Sequence, residues 1–383
     1  MSDRFALTGA RIFDGDDWHD DAALLVHGDV VEGIHPVGAI PSGVARIDTG
    51  GGMLAPGFVD LQVNGGGGVM LNDHPDVASL ATICRAHVPF GTTALLPTLI
   101  TDTTAATASA LAAGEAAWQA KEPGFLGLHL EGPHLSVARK GAHDPALIRR
   151  MTDADEASLI TARRSLPALL VTIAPESVDP ARIRRLVAAG VVVSVGHSDA
   201  GRTAVTAAAD AGATLITHLF NAMSQIGNRE PGVAGVALDE GRLHAGLIAD
   251  GIHVDPATIG IALRAKRPPG HAFLVTDAMA TIGTELTEFT LNGRRIKREA
   301  GSLRLEDGTL AGADLDMISA VRFIHGLGLP LEEALRMASL YPAAALGVAA
   351  RYGHLGAGAR ADFVCLGEGL SVDAVWIGGS RAF

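Results

Sequence analysis

Four apolar runs in this chain stop abruptly at a residue able to bind a metal: Glu131 in GLHLEGPH, His197 in VVVSVGHS, His218 in TLITHLFN and Asp277 in FLVTDAMA. Short runs of aliphatic and β-branched residues without alternation suit parallel strands buried on both faces. When several such strands end in His, Glu and Asp, nitrogen and oxygen donors converge at the C-terminal rim of one parallel sheet, where α/β enzymes place their chemistry. Two imidazoles and two carboxylates suit zinc or another borderline divalent ion with a position left open for water. A carboxylate beside that water can accept a proton and later return it, because the ion lowers the water's pKa toward ~7. That chemistry is hydrolysis, and Asp277 is the candidate for the carboxylate.

The local contexts sharpen this. Glu131 follows His129 by two residues, so on a strand both point to one face, and one of them is expected to bind the metal. His197 follows Gly196 and precedes Ser198 and Asp199, read as a helix N-cap signal that puts the ring at a strand-to-helix rim. His218 repeats the context 21 residues later (218 − 197), about one βα unit, so the two rings are expected on adjacent strands. Any one of these histidines alone also suits a hydrogen-bonded structural residue; the strand-end context shared by four positions favours a site.

The elements that must position these residues follow from the pattern around them. Before Met53 the chain is strand-and-turn in character, ending in the glycine-dense Gly50-Gly51-Gly52. From Leu54, apolar strands alternate with alanine-rich helical stretches such as GRTAVTAAADAG, the mark of βα units. The strands are MLAPGFVDLQV, TTALLPTL, GFLGLHL, LLVTIAP, VVVSVGH, TLITHLF, AGLIADGIH and AFLVTDA. Repeated βα units of this number predict an α/β fold, a closed TIM-like (β/α)8 barrel over residues 54–352. The rhythm breaks near 284–315 into EFTLNGRRI and GSLRLEDGTLAGA, whose Asn-Gly and Asp-Gly pairs predict a β insertion after the eighth strand. The tail has no helical period, and residues 1–53 and 353–383 are expected to form one discontinuous β-sandwich, since the termini of a domain often lie close together.

Composition excludes several functions. The 383 residues are 48% hydrophobic, yet no run approaches the ~20 apolar residues of a membrane helix, so no membrane partner is expected. The stretch from Met1 to Trp18 lacks the basic start and apolar core of a secretory signal, and cytoplasmic residence is expected. Cys84 and Cys365, the two cysteines, are read as reduced and structural. A formal net charge of −12 disfavours nucleic acid, although one small phosphate can still be held locally. With 15 histidines in the chain, position rather than number must identify ligands.

Together, PGFVDLQVNGGGG, HLEGPHLS, GHSDA, THLFNAMS, NREPG, ADGIHVD, VTDAMA and LAGADL resemble, in order from Leu54 to about Gly358, the N-acetylglucosamine-6-phosphate deacetylases of the amidohydrolase superfamily. The resemblance implies that Glu131, His197 and His218 are ligands of one divalent metal, with Zn expected and Fe, Mn or Co also suited, and that Asp277 is general base and acid. His143, in KGAHDP, matches the residue that polarises the acetyl carbonyl, with Ala142 beside it at the substrate. Asn221, Ala222, Arg229 and the stretch from Asp250 to His253 match positions that hold the sugar phosphate, and Leu310, Ala311 and Gly312 match a segment that closes over it. In family members the arginine arrives from a neighbouring subunit, which implies a homodimer. The implied reaction is removal of acetate from N-acetylglucosamine 6-phosphate; N-acetylgalactosamine 6-phosphate or another N-acyl amide is the alternative.

One departure from the wider superfamily concerns the first strand. Many amidohydrolases end it in His-x-His, where this chain has Gln62-Val63-Asn64. Amides are poor zinc ligands beside imidazole, so a second metal position is expected to be empty.

Overall fold

The structure, a computed structural model, describes residues 4–383, so the first three residues of the 1–53 unit lie outside the described residues. Eight parallel strands run in chain order: β1 Phe58–Val63, β2 Thr92–Ile100, β3 Leu128–Glu131, β4 Leu169–Ile173, β5 Val192–Val195, β6 Leu215–Ile216, β7 His244–Leu247 and β8 Ala272–Leu274. Each pairs with its predecessor in parallel. The sheet closes where the chain beyond β8 meets β1: Asp277 N donates to Gln62 O at 3.0 Å and Asn64 N to Ala278 O at 2.8 Å. Closure satisfies the backbone groups that an open parallel sheet would leave at its edges.

The apolar runs are buried on both faces because helices cover the outside while side chains fill the inside. Outward residues such as Leu128, Val171 and Val193 pack with helical Leu159, Ile183 and Val205 in one continuous core. Part of the interior is polar and fully paired: His129 Nε2 meets Thr172 Oγ1 at 2.7 Å, Thr172 and Ser194 both meet Thr217 Oγ1, at 2.7 and 2.6 Å, and Thr98 Oγ1 lies 3.3 Å from His129 Nδ1.

The run expected as one first strand is divided. Met53–Pro56 pairs with Arg11–Phe13 and with Phe363–Leu366, and only from Phe58 does the chain enter the barrel. Gly57 makes the crossing, since a Cβ there would stand 2.1 Å from Thr93 Oγ1. Both ends of the chain build the remaining β unit. A six-stranded sheet containing Met53–Pro56, Phe363–Leu366 and Val372–Ile377 faces a four-stranded sheet containing Arg4–Thr8, Ala22–His27 and Val30–Pro36. Leu7, Ile12, Leu24, Leu54, Phe363 and Trp376 form the core between them.

The insertion is an antiparallel meander of Glu288–Leu291, Arg294–Glu299, Ser302–Leu305 and Leu310–Ala313. Its first turn is Asn292-Gly293, with φ of +49° and +73°, the two positive values that a two-residue hairpin turn demands. Cys84 and Cys365 are buried and unpaired, burial pushing the Cys365 thiol up to about 11. Among the described residues no helix is long and apolar enough to cross a membrane.

Candidate active site

Strand ends deliver the chemistry. Glu131 closes β3, and His197, His218 and Asp277 each lie two or three residues beyond β5, β6 and β8. At the last three the backbone takes positive φ, +46°, +29° and +52°, a conformation that costs a non-glycine residue about 1–3 kcal/mol. The left-handed step swings each side chain off the strand direction and into the mouth of the barrel, where all four groups are almost fully buried.

The donors converge. His218 Nε2 stands 2.9 Å from Glu131 Oε1 and 3.0 Å from His197 Nε2, and His197 Nε2 lies 3.2 Å from the same oxygen. Ligand atoms about 2.0–2.1 Å from a tetrahedral ion stand about 3.3 Å apart, so this triangle matches a divalent cation's donor set to within a few tenths of an ångström. His197 Nδ1 lies 2.8 Å from the Arg139 carbonyl, which can only accept, so Nδ1 carries the ring hydrogen and Nε2 presents a lone pair to the cluster. His143 Nε2 stands 3.8 Å from Glu131 Oε2, and one nitrogen or oxygen from each of Glu131, His143 and His197 falls within 4.8 Å of the others. His143 nevertheless differs in tautomer. Its Nδ1 accepts from the Thr101 backbone N–H at 3.3 Å and lies 2.8 Å from the Thr101 hydroxyl, which can also donate to it; with Nδ1 as acceptor the hydrogen of the neutral ring is on Nε2, facing the cavity as a donor rather than a ligand.

Electrostatics agree with these roles. Burial opposes the charge of Glu131, but the adjoining His197 and His218 rings outweigh it and hold its carboxyl well below the usual range. Burial, assisted by the nearby Glu131 charge, pushes Asp277 up to about 6, close to the pH at which a group both takes and returns protons. Burial and then the neighbouring His197 hold His143 well below its ordinary value, so it is neutral.

Around these groups lies a cavity of about 390 Å³. Of the residues singled out in the sequence, Glu131, Ala142, His143, His197, His218, Asn221, Ala222, His253, Asp277, Leu310, Ala311 and Gly312 line it. Arg229 is exposed and does not line it, nor does Asp250. Asp250 instead grips His253: its carboxylate takes His253 Nδ1 at 2.6 Å and the backbone N–H groups of Ile252 and His253 at 2.8 Å each, leaving Nε2 for the cavity. Along 218–222, φ is positive at His218, Phe220 and Ala222, and the backbone N–H groups of Leu219, Phe220 and Asn221 are taken by Gly246 O, Met223 Sδ and His218 O, so it is the side chain of Asn221 and the Ala222 segment that face the cavity. The insertion closes one wall, where Ala313 N donates to Asp277 O at 2.9 Å and a Cβ at Gly312 would stand 3.0 Å from that same oxygen.

Several contributors escaped the sequence reading. Ser198 and Asp199 do not cap the helix after β5, which begins at Arg202; Ser198 Oγ and Asp199 N both donate to Glu176 at 2.7 Å. The helix is capped from 28 residues away by Glu230 of NREPG, which accepts from Arg202 N at 2.7 Å. Arg139 was missed too, although it lines the cavity; no local signal marks an arginine at the end of a single 3-10 turn, Val137–Arg139, whose carbonyl meets His197 Nδ1. A wider groove of about 730 Å³ lies at the opposite end of β8, against His271 and Ala272, but no metal-donor cluster lies there among the described residues.

Residues 53–382 match the model of the amidohydrolase family, and residues 4–54 that of the NagA composite domain. An N-acetylgalactosamine-6-phosphate deacetylase from Shewanella sp. (strain ANA-3) is 46% identical over 293 residues, 76% of this chain and 74% of that one. An N-acetylglucosamine-6-phosphate deacetylase from Haemophilus influenzae is 36% identical over 354 residues, 91% of this chain and 92% of that one. Among solved structures, the N-acetylglucosamine-6-phosphate deacetylase of Pasteurella multocida superposes with a TM-score of 0.94 at 34% identity, covering 99% of both chains. An aspartate-to-alanine variant of the Mycobacterium smegmatis enzyme, in complex with N-acetyl-D-glucosamine-6-phosphate, superposes with a TM-score of 0.90 at 35% identity over 99% of each chain.

Proposed function

The chain belongs to the amidohydrolase family, and from that premise we propose that it hydrolyses the acetamide of N-acetylglucosamine 6-phosphate to glucosamine 6-phosphate and acetate. The observation that carries this reading is the meeting of Glu131, His197 and His218 at one point beside Asp277 and a hydrogen-donating His143. Glu131, His197 and His218 would hold one divalent cation, for which zinc is the first choice given the two imidazoles and one carboxylate. When bound, that ion supplies Lewis acidity, polarising the acetyl carbonyl and lowering the pKa of the attacking water.

The chain's own groups do the rest. Asp277 accepts a proton from the water as its oxygen bonds to the carbonyl carbon. His143 Nε2–H donates to the carbonyl oxygen as charge grows there. The C–N bond then breaks with its electron pair on nitrogen, and Asp277 returns the proton to that nitrogen. Asn221, Ala222 and His253, which line the cavity, face the 6-phosphate, while Leu310 to Gly312 wall off water.

Arg139 lines the cavity but is paired with Asp199 at 2.8 Å, whereas the exposed Arg229, outside its own chain's cavity, offers a planar fork of donors suited to a phosphate. This supports a homodimer in which Arg229 reaches the partner's cavity. Ile226 and Val137, each 55% exposed, lie on segments bordering the mouth and would be covered by such a partner. The acidic, phosphate-metabolising character of the chain fits a cytoplasmic enzyme.

The 46%-identical Shewanella relative favours a second reading, in which the 4-epimer N-acetylgalactosamine 6-phosphate is the preferred substrate. Steady-state kinetics on both epimers, with metal analysis of unsupplemented protein, tests the proposal. Higher kcat/KM on the gluco epimer with about one ion per chain is expected; a large preference for the galacto epimer would replace the main reading with the second.

A further inference from the structure

The amides Gln62 and Asn64, which stand where the wider superfamily carries two histidines, are engaged with the reacting groups. Asn64 Nδ2 donates to Asp277 Oδ1 at 2.7 Å and lies 3.3 Å from the Asp277 carbonyl. Gln62 Nε2 lies 3.1 Å from Asp277 Oδ1 and 3.1 Å from Glu131 Oε1. Each amide nitrogen therefore sits between two acceptors, so neither amide can be turned over without setting oxygen against oxygen. Asn64 keeps this orientation even though its own Oδ1 is left buried without a partner.

The consequence falls on the two oxygens of Asp277. Oδ1 receives two N–H donors, from Gln62 on β1 and from Asn64 just beyond it, whereas no hydrogen bond reaches Oδ2 among the described residues, and Asp277 lines the cavity. A proton placed on Oδ1 would take one of the two lone pairs that the donors use; a proton on Oδ2 leaves both donors in place. The backbone allows little escape, because Asp277 N is fixed to Gln62 O at 3.0 Å and Asp277 O to Ala313 N at 2.9 Å.

We propose that Gln62 and Asn64 are positioning residues that engage Oδ1 of Asp277 and so reserve Oδ2 for proton transfer, with Gln62 also tying that carboxylate to Glu131. This rests on the deacetylase reading above. The water's O–H bond breaks as Oδ2–H forms, and Oδ2 gives up that hydrogen to the amide nitrogen as the C–N bond breaks, with Oδ1 keeping its two donors throughout.

The test uses the full chain with its metal, and substitutes Asn64→Leu and Gln62→Leu singly and in the Asp277→Asn background. Outer-shell partners of this kind typically change activity by about 10–100-fold. We expect kcat for N-acetylglucosamine 6-phosphate to fall by about that factor in Asn64→Leu, with KM within about threefold of wild type and metal content near one per chain. In the Asp277→Asn background the same substitution should cost under about threefold, because the group it positions is gone. Gln62→Leu should lower kcat and weaken metal retention in a chelator competition. Should Asn64→Leu fail to fold, Asn64→Asp keeps the shape and replaces the donor with an acceptor, and the same kcat loss is expected. An active wild type with unchanged kcat in both single variants, or full additivity with Asp277→Asn, would overturn this inference alone; a wild type inactive on both epimers would overturn the deacetylase reading and this inference with it.

Discussion

Two sets of histidines share the barrel, and they are built in opposite ways. His129, two residues before the end of β3, has both ring nitrogens near threonine hydroxyls, Thr172 Oγ1 at 2.7 Å and Thr98 Oγ1 at 3.3 Å, and burial pushes it down to about 4. It is a neutral member of a closed polar network. His197 and His218, one layer higher, stand in left-handed backbone with their Nε2 atoms 3.0 Å apart, and His218 Nδ1 has no partner. Satisfied buried polar groups stabilise a core, whereas crowded donors on strained backbone persist only where something else rewards them. The same residue type thus closes a polar network in one layer and gathers as crowded metal-capable donors in the next.

The contrast can be broken from either side. The largest effect belongs to the rim: Glu131→Ala or His197→Ala should lose the ion and essentially all deacetylase activity, as should exhaustive chelation of the wild type, with zinc restoring the wild type alone. Metal analysis and turnover check this, and activity that survives chelation would contradict it. Next in size is Arg229→Ala, which should raise KM for the 6-phosphate at least ~10-fold while hardly altering turnover of unphosphorylated N-acetylglucosamine. Mixing Arg229→Ala chains with Asp277→Asn chains should restore part of the activity, since one site of the mixed dimer is then complete; no recovery would place Arg229 outside a shared site.

The smallest effect lies at the boundary between the layers. Asp60 on β1 accepts from Thr276 Oγ1 at 2.5 Å and from Gln62 N at 3.2 Å, yet complete burial outweighs these bonds and pushes it up to about 7. Between its ordinary value of 3.8 and about 7, the folded chain holds a proton that the unfolded chain has released. Asp60 therefore favours the folded state less as pH rises through that window, by up to ~1.4 kcal/mol per unit. The gap in urea midpoint between wild type and Asp60→Asn should shift in the variant's favour from pH 4 to pH 7; a gap independent of pH would contradict the assignment.

Much of this was legible in residues. Unalternating apolar runs identified eight strands, and Asn292-Gly293 identified the insertion's first hairpin, because both signals are local. The features that remained hidden depend on residues distant in sequence. The crossing at Gly57 depends on Thr93, and the helix at Arg202 is capped by Glu230. Nor could spacing reveal that the amides of Gln62 and Asn64 hold Asp277, since 215 and 213 residues separate them from it and their partnership exists only across the barrel's closing seam.

The central claim is that Asp277 moves the proton while Glu131, His197 and His218 hold the ion. Asp277→Asn, assayed for metal content and for turnover of N-acetylglucosamine 6-phosphate in one preparation, tests it most directly. The account predicts about one ion per chain, KM near wild type and kcat at least ~100-fold lower, the scale of a positioned acid-base group. A variant that keeps its ion and retains near-normal kcat would contradict it.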